Sequence, residues 1–378
     1  MTDTMDERHE HNDTYWMNLA MKEAAKGGWS VHPNPMVGAV IVKDERMLGC
    51  GYHHGAGQPH AEVEALKDAA ARHEDVRGST IYVTLEPCNH FGRTPPCTEA
   101  LIAAGITRCV VGTVDTDERV RGAGIARLKA AGIQVDVGFL ETELYALNAA
   151  FFKRTSTGLP YVTAKWAMSL DGHIATRTHH ARWVTGDAAR RDVHLARAAH
   201  DAIMVGTQTV IDDNPQLNVR LDGDYRQPLR VILDRTLRIP IDAHVFDTCS
   251  QSTVLFTCAT DTDAYRARGI SVETLTPIHD ALPIDEVLRT LVTRYGVTTL
   301  YVEGGARLLG SLFDAHDVDA VDVYIAPKLI GGSNAPCAVA GLGIPTMDLA
   351  SLADLEPPIF LGNDIRLRGK IRHTLLTP

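Results

Sequence analysis

With 378 residues the chain is too long for one ordinary domain and comfortable for two, each large enough to bury its own core. Its 37 Lys+Arg against 47 Asp+Glu leave a net charge of −10, which argues against a bulk nucleic-acid or membrane-surface partner while leaving room for a local basic pocket. Seven cysteines, odd in number, without paired spacing and with no signal peptide ahead of them, read as free or metal-bound thiols in the cytoplasm, and no apolar run approaches a membrane span.

Met1 to Asp13 is polar and acidic and reads as a frayed tail whose His9 and His11 are solvated. Tyr15 to Lys26 carries Trp16, Leu19, Ala20 and Ala24 at helical spacing and closes at Gly27-Gly28. H-P-N-P at 32–35 fixes an extended turn around Asn34, whose amide has the donor and acceptor needed to read the edge of a pyrimidine. Gly38–Lys43 and Met47–Tyr52 read as a hairpin, and His53 and His54 follow in a loop. Together with His90 they are candidates for substrate contacts.

Next comes H-A-E at 60–62. Pro59 suits a helix start, which puts His60 at the first turn of A-E-V-E-A-L-K-D-A-A-A and lets Glu62 converge with it. I-Y-V-T-L is a strand ending at Glu86-Pro87, so Cys88 lies at its carboxyl end, and Cys97 follows Pro95-Pro96 at the start of another helix. One imidazole and two thiolates make a zinc set with its fourth position open to water, and the unligated carboxylate of Glu62 can move the protons. The zinc nucleobase deaminase signature is H-x-E with P-C-x-x-C. Here eight residues, not two, separate the cysteines.

That longer spacer, C-N-H-F-G-R-T-P-P-C, together with H-P-N-P, resembles the deaminase half of the bifunctional riboflavin-biosynthesis deaminase/reductase family. The resemblance implies a cytidine-deaminase-like three-layer α/β/α domain over residues 14–155, with Asn34, His53, His90 and Arg93 binding substrate. The rest of this half agrees in kind. Arg108–Val114 reads as a buried strand, Gly124–Ala131 as a helix, Gln134–Val137 as a strand in a mostly parallel sheet, and Glu141–Lys153 as a helix. S-T-G-L-P at 156–160 reads as the domain boundary.

Residues 156–378 contain no G-x-G-x-x-G. They hold Y-V-T-A-K-W-A-M-S-L-D-G from 161, R-W-V-T-G-D from 182, V-G-T-Q-T-V-I-D-D-N-P from 205 and L-Y-V-E-G-G-A-R-L-L from 300. The last reads strand, Gly-Gly, helix, whose free amides can hold a pyrophosphate. In this order the motifs resemble the reductase half of the same family, which implies a dihydrofolate-reductase-like α/β domain using NADPH. The resemblance places Ala167, Trp183, Thr209, Asp213 and the turn Gly305, Ala306, Arg307, Leu308, Leu309, Gly310 and Ser311 at the cofactor. Ala181, Arg197, Leu217, Arg220 and Glu303 then line the substrate site, and Lys165 and Asp213 are the catalytic pair. Two departures from the family pattern stand out: Ala181 replaces a small hydroxyl residue and Asn214 a second Asp. Arg197 and Arg220 are of the type that grips phosphate, and Arg235 is a candidate for the cofactor's 2′-phosphate.

The expected protein is a zinc- and NADPH-dependent riboflavin-biosynthesis enzyme with a pyrimidine ribose phosphate substrate, in an enzyme class where homo-oligomers are common. The competing readings are a tRNA or nucleoside deaminase and a zinc-stabilised nucleotide-binding module. The cysteine spacer and the absence of a basic stripe count against the first.

Overall fold

A computed structural model describes residues 3–91, 95–117, 121–249 and 251–373. They form two compact units, Met1–Gly158 and Leu159–Pro378.

The first unit is built on a five-stranded sheet of β1 (Gly38–Lys43), β2 (Arg46–Tyr52), β3 (Thr80–Leu85), β4 (Arg108–Thr113) and β5 (Gln134–Val137), in the order β2-β1-β3-β4-β5. The expected hairpin is present as the antiparallel β1–β2 pair. The sheet is mixed rather than mostly parallel, because β1 also runs antiparallel to β3 and only β3–β4 and β4–β5 are parallel. Strand alternation splits its side chains between two cores. Val40, Val42, Tyr82 and Val110 pack with Trp16, Met17 and Ala20 of α1 (Asp3–Ala25) and Leu144 of α5 (Glu141–Leu147). Ala39, Ile41, Ile81, Val83 and Val111 pack against α2 (Ala61–Ala71), α3 (Cys97–Ala104) and α4 (Ala123–Ala130).

Two boundaries differ from the sequence reading. Helix α1 begins at Asp3, not Tyr15, and Asp13 is part of the buried structure. It accepts from both terminal nitrogens of Arg108, at 2.8 and 2.6 Å, and from the Tyr82 hydroxyl at 2.6 Å. These partners are 69 and 95 residues away, so local composition carries no sign of them. Asp13→Ala is expected to lower the stability of this unit by about 2 kcal/mol in denaturant unfolding, because Arg108 keeps Asp136 as a second partner. The helix expected over 141–153 is broken at Asn148 into α5 and α6 (Ala149–Thr157). The Asn148 amide there makes a two-way bond with the backbone of Met36, at 2.8 and 2.9 Å, which ties the H-P-N-P loop to the helices.

In the second unit β6 (Tyr161–Ser169), β7 (Ala202–Gly206), β8 (Leu229–Leu233), β9 (Thr253–Thr257), β10 (Ser271–Thr274), β11 (Thr299–Val302) and β12 (Ala320–Ala326) form a parallel array. Its order is β10-β9-β8-β7-β11-β6-β12, extended by antiparallel β15 (Asp364–Arg372), β13 (Leu352–Leu355) and β14 (Ile359–Leu361). One face is apolar and packs on α10 (Ile284–Tyr295) and α11 (Ala306–Asp314). The other face buries a second apolar core over β7–β10, with Ile203, Val205, Ile232 and Leu255 packed on Ala196 of α7 (Asp187–Ala198), and on β6 and β12 it carries Thr163, Lys165, Asp322 and Tyr324 at alternate positions, where Arg197 and Asp192 of α7 reach their neighbours. Two short helices, α8 (Thr207–Asp213) and α9 (Asp263–Ala267), follow β7 and β9. No helix among the described residues is long and apolar enough to cross a membrane.

Candidate functional site

His60 is the N-cap of α2, Cys97 is the first residue of α3, and Cys88 follows β3 by three residues. These element ends bring one ligand atom from each within 4.8 Å of one another. His60 Nδ1 lies 3.2 Å from Cys97 Sγ and 3.5 Å from Cys88 Sγ. A tetrahedral zinc with ordinary Zn–N and Zn–S bonds holds nitrogen and sulfur about 3.5 Å apart, so the donor set fits zinc in chemistry and in spacing. The Cys88 thiol is drawn down to about 4, first by the hydrogen bond from Cys97 and then by His60, against its burial. Cys97 is pushed up by Cys88 and by burial.

Glu62, in the first turn of α2, is 3% exposed and sits against the Cys97 thiol. Burial raises its carboxyl to about 7. Asn34 and His53 also meet. The ring Nδ1 of His53 donates to the Pro59 carbonyl at 3.1 Å, so Nε2 accepts from the Asn34 amide nitrogen at 3.0 Å. Both ring nitrogens are therefore taken by protein, and His53 acts on the Asn34 amide rather than presenting a free nitrogen. His54 is exposed and its ring lies on that of Tyr52, at 4.1 Å between centroids. His90 is exposed just beyond Cys88, and Arg93 lies outside the described residues.

In the second unit Glu303, directly after β11, accepts from Arg197 Nε at 2.6 Å and Nη2 at 3.0 Å, with Lys165 Nζ 3.4 Å away. Burial alone would raise the Glu303 carboxyl, but Arg197 and Lys165 overcome it and hold the group at about 2. Arg197 also donates to the Asn218 carbonyl, so its fork is occupied by protein groups rather than held open for a phosphate. Arg220 is exposed beside it, donating to Asn218 Oδ1 at 2.6 Å. Lys165 and Arg197 thus converge on Glu303, with Arg220 beside them at the surface. His194, bonded to the Asn218 carbonyl in the same cluster, is pushed down to about 4 by burial and by the two arginines.

Asp213 ends α8, where burial raises its carboxyl and its backbone carbonyl accepts from Arg182. Trp183 is exposed under the Arg190 guanidinium, 4.5 Å from ring centroid to Cζ, and its carbonyl accepts from Lys328 at 2.7 Å. Ala167 shares the Lys165 face of β6, and Ala181 is half-buried in the loop before α7. Thr209 lies beside the start of α11, its hydroxyl 3.4 Å from where a Cβ on Gly305 would stand. That N-terminus leaves its first N–H groups without helical acceptors, which suits a pyrophosphate.

Several of the expected contacts differ. Leu217 turns its side chain into the core at 2% exposure. In α11 the 3.6-residue repeat carries Leu308 and Leu309 into the core and packs Gly310 on the Ala340 carbonyl, with Ser311 bonded back to the Arg307 carbonyl, which leaves the turn around Gly305, Ala306 and Arg307 as the part of this run not spent on packing. Arg235 pairs with the exposed Asp280. Asn214 serves structure, its side-chain oxygen accepting from the backbone nitrogen of His244 at 2.9 Å. Two residues that sequence reasoning passed over are Asn148 and Glu86. The visible signal for Glu86 was a carboxylate at the end of an otherwise apolar strand.

A His-Cys-Cys cluster beside a buried carboxylate in one α/β unit, and the Lys165–Glu303–Arg197 ion-pair cluster on the parallel sheet of the other, fit a zinc deaminase joined to a second enzyme of a nucleotide-using kind. Residues 10–113 match the family model of the cytidine and deoxycytidylate deaminase zinc-binding region, and residues 160–361 match that of the RibD C-terminal domain. The riboflavin biosynthesis protein RibD of Aquifex aeolicus is 41% identical over 93% of this chain and 97% of its own, and that of Escherichia coli 41% over 87% and 92%. The solved structure of Acinetobacter baumannii RibD superposes with a TM-score of 0.84 at 38% identity, covering 96% of this chain and all of that one. The deaminase/reductase of Thermotoga maritima gives 0.81 at 32%, with the same coverage. The chain belongs to the bifunctional RibD family of riboflavin biosynthesis, and is both a hydrolase and an oxidoreductase with zinc and NADPH as cofactors.

Proposed function

We propose that the part of the chain before the S-T-G-L-P stretch hydrolyses the 2-amino group of 2,5-diamino-6-ribosylamino-4(3H)-pyrimidinone 5′-phosphate, and that the part after it reduces the ribosyl chain of the product to ribityl. The observation that carries the first assignment is the His60, Cys88 and Cys97 cluster beside buried Glu62. Zinc held by those three supplies the Lewis acidity that makes water nucleophilic at neutral pH. Glu62 takes the proton of the attacking water and returns it to the departing ammonia. Asn34, its amide set by His53, orients the pyrimidine edge, and His90, exposed just beyond Cys88, adds a further substrate contact.

In the second unit NADPH supplies the hydride. The turn Gly305–Arg307 holds its phosphates, and Ala167, Trp183 and Thr209 pack against it. Lys165 and Asp213 hold the protons needed to open the ribosylamine ring, and Arg220 draws in the substrate phosphate. Glu303 keeps Lys165 and Arg197 in place from beneath. A cytoplasmic location is supported by seven cysteines without a disulfide, and a small-molecule rather than nucleic-acid substrate by the net charge of −10.

Chelation tests the division of labour. Dialysis against a strong chelator is expected to abolish ammonia release, to leave NADPH oxidation on the deaminated substrate intact, and to be reversed by zinc. Loss of both activities together, or of neither, counts against the assignment.

A further inference from the structure

We propose that Glu86 is a positioning residue of the zinc centre, holding Cys88 at its ligating position by gathering the backbone of a neighbouring turn and helix start around one carboxylate. Glu86 lies two residues before Cys88 and is 4% exposed. Its Oε1 accepts from Gly124 N at 3.0 Å and Ile125 N at 3.2 Å, and its Oε2 from Gly122 N at 2.9 Å and Asp115 N at 3.3 Å. Gly122 is the N-cap of α4 and has no capping side chain of its own, so Glu86 caps that helix from another strand. Asp115 follows β4, whose Thr113 carbonyl accepts from Glu86 N at 2.9 Å. One carboxylate thus joins the ends of β3 and β4 to the start of α4.

The same contact sets the peptide that leads to the ligand. A Cβ on Gly124 would stand 1.9 Å from the Pro87 carbonyl oxygen, so the α4 backbone is pressed directly onto the Pro87-Cys88 step. Beyond it the Cys88 carbonyl accepts from Thr98 N at 3.2 Å, and Cys88 Sγ accepts from Cys97 N at 3.4 Å. Cys88 is therefore held on both sides, by the Glu86 clamp before it and by the start of α3 after it. Partners that hydrogen-bond a metal ligand ordinarily change metal affinity by about 10–100-fold when removed, and Glu86 acts on Cys88 one step further out, through the backbone its carboxylate clamps. An amide at this position keeps the volume, but turns an N–H₂ toward backbone N–H groups that need an acceptor.

The proposal rests on Cys88 being a zinc ligand, and the experiment separates the two claims. Zinc affinity of the full chain is measured by chelator competition for wild type, Glu86→Gln and Cys88→Ser, together with the d–d absorption of the cobalt-loaded proteins and the thermal unfolding of the metal-free ones. Glu86→Gln is expected to bind zinc about 10–100-fold more weakly and to show a shifted or weakened cobalt band. If it binds zinc like wild type with an unaltered cobalt spectrum, and only its metal-free melting temperature falls, Glu86 is a structural cap and the proposal is overturned. If Cys88→Ser also binds zinc like wild type, the ligand assignment itself fails. Should Glu86→Gln not fold, Glu86→Asp carries the same test, since withdrawing the carboxylate by one methylene loosens the clamp without losing charge.

Discussion

Glu62→Gln is expected to lower deamination by about 10²–10⁴-fold in kcat, to leave bound zinc unchanged, and to leave reduction of the deaminated pyrimidine untouched. The expectation comes from the placement of the group. Glu62 is buried beside Cys97 rather than among the three clustered ligand atoms, and its burial brings the carboxyl to about 7, where it can accept and return a proton at neutral pH. The amide keeps the shape and cannot carry the proton. Ammonia release, metal content and NADPH oxidation on the deaminated substrate are the three measurements. Wild-type ammonia release from a fully zinc-loaded variant would remove Glu62 from the reaction.

The second large effect lies at Glu303. Glu303→Gln leaves Arg197 buried without its bidentate partner, and breaking a buried pair from one side costs about 3–5 kcal/mol. Denaturant unfolding of the second unit is expected to show a loss of that size. Adding Arg197→Met to Glu303→Gln is expected to recover part of it, because the uncompensated charge goes with the arginine. The same pair makes a pH prediction. The Glu303 carboxyl is lower in the folded chain, at about 2, than the ordinary value of 4.5, so the folded state favours the ionised form. Its contribution of about 3 kcal/mol is full above pH 4.5 and is lost as pH falls through 2. Acid unfolding of the second unit in Glu303→Gln should lack that component, and an unchanged acid profile would refute the assignment.

Much of the first site was legible because its information is local. His60 needed only Pro59 and a helical run after it, and Cys88 and Cys97 only a strand end and a helix start, since element ends announce themselves through proline, β-branched runs and spacing. In the second unit the resemblance singled out Lys165, Glu303 and the Gly305 turn. It did not show that Arg197 spends its fork on Glu303, because that pairing joins residues 106 positions apart.

Periodicity and side-chain chemistry over a few neighbouring positions were enough for the main elements of the first unit, the break near residues 156–160 and the zinc donor set, whereas the residues of the second site came from resemblance to the family. Tertiary structure alone decided which way each side chain is used. Leu217, Leu308 and Leu309 were drawn into cores, Asp13 was buried against Arg108, and Glu86 was surrounded by four backbone N–H groups. The reason is that a buried polar group must find its partner wherever the packed chain provides one, and that partner is set by how distant elements meet rather than by the residues beside it.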